Sequence, residues 1–290
     1  MSDKLFRFVQ FEYPWPLGPD EGRYLLRDHA GEEAHHVLVI AAWATKVSRA
    51  SRRWGREPPP DNVPAETGLS RATLVETTVV TEPEGAAWLE QVATLEAEAA
   101  IVDGLHLLNG ALRAFRAAAA DPFVREVTAR QALTVRVGFG AGVEVAEGAW
   151  TAARDLPLGA EKQSSKRRSR QAALRTQERF AAVLGGRDAI LACEELALRA
   201  RLDLDERRPR EAALQTHLAL EAALAELAAF RSQEPVARRL DELETHRDAL
   251  ARAANESLQR GPAAETVTAV EAALELVEAT LRARSASASY

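Results

Sequence analysis

The chain has 290 residues, 47% of them hydrophobic and 28% charged, with a formal net charge of −6. That composition supports a sizeable core and argues against wholesale disorder, and the length suits one large domain or two modest ones. A single cysteine, Cys193, excludes an internal disulfide and a multi-thiolate metal centre. No apolar run approaches the roughly 18 residues that span a bilayer, so no membrane partner is expected. Met1–Leu5 lacks the apolar core of a secretory signal, which makes the cytoplasm the expected compartment.

Charge is unevenly spread. Residues 1–160 hold 16 Lys and Arg against 22 Asp and Glu, whereas residues 161–290 hold 21 of each. The texture changes in the same place, at the short polar stretch from Pro157 to Ser165, which contains both proline and glycine. The sequence therefore predicts two domains, an α+β unit over 1–160 and a helical bundle over 161–290. Arginine outnumbers lysine 33 to 4 and alanine is abundant, a pattern that reads as GC-rich coding bias.

In the first half, Leu5–Tyr13 alternates. Leu5, Arg7, Val9, Phe11 and Tyr13 share one face; Phe6, Phe8, Gln10 and Glu12 share the other. Both faces are partly apolar, as expected of a strand covered on each side. Pro14 and Pro16 force a turn, after which Gly22–Arg27, Val37–Trp43 and the β-branched run Thr73–Thr81 read as strands. Pro83-Glu84-Gly85 opens a long helical segment reaching Ala120, with Trp88, Val92, Leu95, Ala99 and Val102 at three- and four-residue spacing, and Asp121-Pro122 stops it. Gln131–Val137 predicts a fifth strand and Glu144–Arg154 a second helix. Strands gathered ahead of a long helix point to an α+β layer more than to regular βαβ winding.

The second half predicts helices over 166–184, 188–206, 209–231, 235–259 and 263–284, separated by Gly185-Gly186, Arg207-Arg208-Pro209, Gln233-Glu234-Pro235 and Gly261-Pro262. Short connections make antiparallel neighbours and hence a bundle. In the last helix Val267, Val270, Leu274, Val277 and Leu281 step 3-4-3-4, a narrow seam fitted to another helix, either a partner-binding surface or part of the chain's own core. Ser285–Tyr290 reads as a frayed tail.

Few motifs carry chemistry. Gly138, Gly140 and Gly142 follow a strand and could let backbone N–H groups approach a phosphate, with Arg136 or Arg130 as counter-charge. The spacing is not a full dinucleotide fingerprint, and a tight turn explains it as well. His29, Glu32, Glu33, His35 and His36 are metal-capable, but adjacent strand residues point to opposite faces, so no metal site is expected. Cys193 lies in a helical run beside Leu191 and Leu196, where a buried inert thiol is the default, and no nucleophile elbow occurs. Two basic segments, one carrying Arg49, Arg52, Arg53 and Arg56 with Trp54, the other Lys166, Arg167, Arg168 and Arg170, could clamp a polyanion. The acidic net charge weighs against nucleic acid, since binding domains of that kind are strongly basic.

The sequence thus predicts a non-catalytic protein that acts by binding a protein partner or itself through its helical half, without a cofactor. Nucleic-acid binding through the arginine segments is the first alternative. A nucleotide- or phosphate-dependent enzyme or regulator using Gly138–Gly142 is the second.

Overall fold

The computed structural model describes residues 4–27, 29, 31–45, 67–157 and 176–287. Residues 158–165, where the sequence sets its domain boundary, lie outside them. The chain divides into two compact units, Met1–Ser164 and Ser165–Tyr290. Among the described residues no helix is long and apolar enough to cross a membrane.

The first unit is built on a six-stranded antiparallel sheet of order β2-β3-β4-β1-β5-β6. Its strands are β1 (Leu5–Tyr13), β2 (Gly22–Leu26), β3 (His36–Thr45), β4 (Thr67–Val80), β5 (Thr134–Ala141) and β6 (Ala152–Asp155). The central strand β1 is covered on both faces, as its alternation demands. Phe11 and Tyr13 pack into the main core with Leu74, Val135, Val137 and Phe139, while Phe8 joins a smaller cluster with Val39, Val75 and Val145 on the other side.

The main core is closed by α1 (Glu82–Gln91) and α2 (Ala97–Ala119), joined through one π-helical turn, Val92–Glu96. Thr81 starts α1 with a capping box: the Glu84 N–H donates to its Oγ1, and its own N–H donates to Glu84 Oε2 at 2.8 Å. Ala120 ends α2 in the left-handed region, φ 52°, one residue before Asp121-Pro122. Beyond it the chain is clamped by Asn109, whose Nδ2 donates to the Val127 carbonyl at 3.0 Å and whose Oδ1 accepts from the Val127 N–H at 2.8 Å. Tyr13 donates its hydroxyl to the Thr128 carbonyl, and burial pushes its phenol well above the usual range.

The α+β class is as expected, but three local expectations are corrected. The helical segment expected from Pro83 to Ala120 is interrupted by the π turn, and Leu95, Ala99 and Val102 of its expected apolar stripe are exposed. The predicted strand Gln131–Val137 begins later and runs through the glycines to Ala141, so Gly138 and Gly140 lie inside a strand and not in a turn after it. The predicted helix Glu144–Arg154 is the short α3 (Gly142–Glu147) followed by β6. Gly148 takes φ 88° and stops the helix, and the chain then turns back to pair with β5.

The second unit consists of helices α4 (176–184), α5 (Ala192–Asp205), α6 (Pro209–Glu226), α7 (Glu234–Gln259) and α8 (Ala264–Ser287). Its core combines leucines such as Leu220, Leu240 and Leu243 with fully buried alanines, among them Ala200, Ala213, Ala219 and Ala223, which let the helix axes approach closely. α8 runs on to Ser287, into the stretch from Ser285 expected to fray, while 288–290 lie outside the described residues; just before that stretch Arg284 donates to Asp188 Oδ1 at 2.6 Å and to Glu194 Oε1 at 3.3 Å. Glu226 caps α5 from a neighbouring helix by accepting from the Ala192 and Cys193 N–H groups.

Candidate functional site

Two irregularities of the backbone meet at one place in the first unit. Along β1 and β4, Phe6 pairs with Val79 and Phe8 with Val75, so two steps on β1 match four on β4. The surplus forms a bulge over Glu76–Thr78. It is fastened to the entry of β3, where the Thr77 N–H donates to the His35 carbonyl at 3.1 Å and the Thr77 hydroxyl to the Ala34 carbonyl at 2.8 Å. Across from the bulge runs the π turn that joins α1 to α2. Bulges and π turns both lose regular pairing and re-aim side chains, and both concentrate at functional sites.

Between them lies a cleft of about 330 Å³, at the lower end of the range for small-molecule sites. Its floor is apolar, with Val9, Leu74, Val92 and Leu107, and its rim is polar, with Arg7, His36, Glu76 and Asp103. Gly104 sets the depth: a Cβ there would stand 3.0 Å from the Phe11 ring, so α2 lies directly on the sheet at this point. Arg7 stacks 5.4 Å from the Trp88 ring centroid and faces Glu76 at 3.8 Å, too far for a hydrogen bond. Its Nε is buried and meets no acceptor among the described residues. Beside the rim the imidazoles of His35 and His36 meet Nδ1 to Nδ1 at 2.8 Å, so one ring donates and the other accepts. The expectation that adjacent histidines diverge fails here, because both rings turn toward each other at the strand entry. No group of three metal-capable side chains occurs among the described residues.

The residues singled out from the sequence fall elsewhere. A Cβ on Gly138 would stand 2.5 Å from the Ala152 carbonyl and 2.7 Å from Phe8, and one on Gly140 would stand 2.9 Å from the Trp150 Cα. The missing side chains make room for β6 and Trp150 to lie on the sheet, and the space over both glycines is filled by the chain itself. Gly142 opens α3 against the Phe6 ring. Arg136 is held within the sheet, donating to Asp155 Oδ1 at 2.7 Å and to Gln10 Oε1 at 3.0 Å, and Arg130 is exposed on a 3-10 turn. Arg49, Arg52, Arg53, Arg56, Lys166, Arg167, Arg168 and Arg170 lie outside the described residues.

Of the two readings of the α8 seam, the structure supports core. Val270, Leu274 and Val277 are fully buried in the core of the second unit, with Leu281 packed against the same core and Val267 half-buried. The 3-4-3-4 pattern does need another helix, and α5, α6 and α7 of the same chain supply it. Outward-facing apolar pairs lie on other helices: Phe180 and Leu184 on α4, Leu198 and Leu202 on α5, between 44% and 72% exposed.

Sequence reasoning placed Arg7, His36 and Trp88 on their elements but did not join them. One signal was present, a charged Arg7 on an otherwise apolar face of the central strand, where an arginine is rarely buried without a reason. Comparison of the chain with models of known protein families, with curated proteins and with solved structures gave no match.

Proposed function

We propose that the first unit binds a small, mostly apolar molecule whose polar end is held at the rim by Arg7 and Glu76. One observation carries the reading: the β4 bulge and the π turn converge on a cleft with an apolar floor and a charged rim. Arg7 offers a planar fork of donors, Glu76 accepts, and the 3.8 Å between them leaves both open to a ligand that can donate and accept at one end. The test is a thermal-shift screen of the full chain against small amphipathic metabolites. A compound at 100 times its dissociation constant should stabilise by about 2.7 kcal/mol. The shift should vanish in Ala100→Phe, which fills the cleft from α2. A hit whose effect survives that substitution would locate binding elsewhere.

A second reading concerns the helical unit, where the outward pairs Phe180 and Leu184, and Leu198 and Leu202, favour contact with a partner chain, in the simplest case a second copy. Sedimentation of wild type and of the double variant Leu198→Gln, Leu202→Gln tests it. A concentration-dependent dimer that dissociates in the variant supports the reading, and a wild type that stays monomeric at high concentration rejects it.

A further inference from the structure

The face of the sheet opposite α1 and α2 carries two arginines with different surroundings. In register across the strands, Ala41 of β3, Arg71 of β4 and Glu12 of β1 form one rung, and Thr73, Gln10, Arg136 and Asp155 form the next. The second rung is saturated. Gln10 Nε2 donates to Thr73 Oγ1 at 3.0 Å, Arg136 donates to Gln10 and Asp155 and faces Glu12 at 3.7 Å, and its guanidinium stacks 4.6 Å from the Trp150 centroid.

Arg71 has none of this. Its guanidinium lies 5.3 Å from the Trp43 centroid and against the backbone of Gly148, where any side chain would run into it. No described residue accepts a hydrogen bond from it or pairs with it within 4.0 Å. Glu12 attracts it only from beyond that distance, and Arg136 repels it. Partial burial holds its pKa below the usual arginine range, yet none of its nitrogens is sealed from solvent, so its donors stay open to an incoming group. Gly148 adopts φ 88° at the end of α3, so a backbone conformation suited to glycine also keeps the slot clear for the guanidinium.

We propose that Arg71 is an oxyanion-binding residue that takes the carboxylate or phosphate group of a small ligand, with Trp43 flanking the site. The argument is independent of the cleft, which lies on the other face. A guanidinium held against an indole and the backbone of a glycine has few rotamers left, and its donor edge suits two acceptor oxygens of one group. Partial desolvation of a cation with no ion pair among the described residues is unfavourable, and an incoming oxyanion offsets that cost. Glu12 limits the affinity and favours ligands that approach from the Trp43 side.

The experiment is an NMR titration of the Arg Nε–Hε resonances of the full chain, with inorganic phosphate in one series and benzoate in the other. Arg71→Lys identifies the resonance by its loss. A saturable shift of the Arg71 signal, with that of Arg136 much less affected, is the expected result. Movement with benzoate alone assigns a carboxylate ligand, and movement with phosphate alone a phosphate. Tryptophan fluorescence, followed in parallel and assigned to Trp43 by its loss in Trp43→Phe, should respond in wild type, and the apparent affinity it reports should weaken by on the order of tenfold in Arg71→Lys, which keeps the charge but loses the paired donors. An Arg71 resonance that moves with neither probe overturns the proposal, as does an Arg71→Met variant that responds like wild type. Arg71→Met should also melt no lower than wild type without ligand, because it removes a partly desolvated charge that has no ion pair among the described residues while keeping the aliphatic stem. A clear fall in its melting temperature would make Arg71 a packing residue and overturn the assignment.

Discussion

Replacing Asn109 by alanine should unfasten the segment that returns from α2 to β5. Asn109 is 2% exposed and Val127 4% exposed, so neither backbone group of Val127 has water to turn to when the amide is removed. An orphaned buried donor or acceptor costs about 1–3 kcal/mol. Losing partners for both the N–H and the carbonyl therefore costs about 2–6 kcal/mol, against a typical domain stability of about 5–15 kcal/mol. All five tryptophans, at positions 15, 43, 54, 88 and 150, fall in the first unit, so their emission follows that unit alone. With a urea m-value of about 2 kcal/mol/M, the midpoint should drop by about 1–3 M with little change in slope. Asn109→Leu restores volume without restoring either bond and should be about as damaging. A loss under about 1 kcal/mol in both variants would refute the reasoning, since it would mean that solvent already reaches Val127.

Three further outcomes follow from the same packing. Gly138→Ala places a methyl 2.5 Å from the Ala152 carbonyl and 2.7 Å from Phe8, so it should destabilise the first unit by about 1–3 kcal/mol with or without phosphate present, and a neutral variant would contradict the packing role. Cys193 is fully buried, and burial, with the neighbouring Glu226 carboxylate, pushes its thiol up to about 12; a disulfide reagent should label it only after denaturation, and rapid labelling of the native chain would show the core to be open. In the helical unit, the Arg247 hydrogen bond holds Glu221 below the usual carboxylate range. Burial raises Asp188 and Glu226, but backbone N–H donors and arginines outweigh it and depress both. Depressed carboxylates add stability that is present above their unfolded values of about 4 and is lost as pH falls through the folded ones. Circular dichroism melts at 222 nm should accordingly be level from about pH 7 to 5 and fall below about pH 4, and a decline already complete by about pH 5 would contradict this sign.

Much of the local structure was legible in the sequence. The period-two alternation of Leu5–Tyr13 marked β1 to the residue, and the prolines at 83, 209 and 235 marked the first turns of α1, α6 and α7. The errors were local too. Glu144–Arg154 had spacing compatible with a helix, and only the left-handed Gly148, with a free strand edge on β5 beside it, turned its second part into β6. The candidate cleft was not legible, because it joins positions 7, 36, 76, 88 and 103, which no short window spans, and because the bulge exists only once β4 pairs with β1.

What the sequence by itself determined was most of the list of surfaces that had to be covered, both faces of β1 and the seam Val270-Leu274-Val277 of α8, whereas the stripe read through Leu95 and Val102 stayed exposed. Covering them is a property of side-chain periodicity and therefore of neighbours within a turn or two. What covers them was decided only by the tertiary structure. The seam met helices of its own chain instead of a partner, the glycines of β5 met β6 and Trp150 instead of a phosphate, and Arg136 found Gln10 and Asp155 while Arg71, one rung away, found an indole and no acceptor among the described residues. Apolar burial is non-directional and accepts any apolar surface of the right shape, so periodicity states the need and the assembled fold selects the partner.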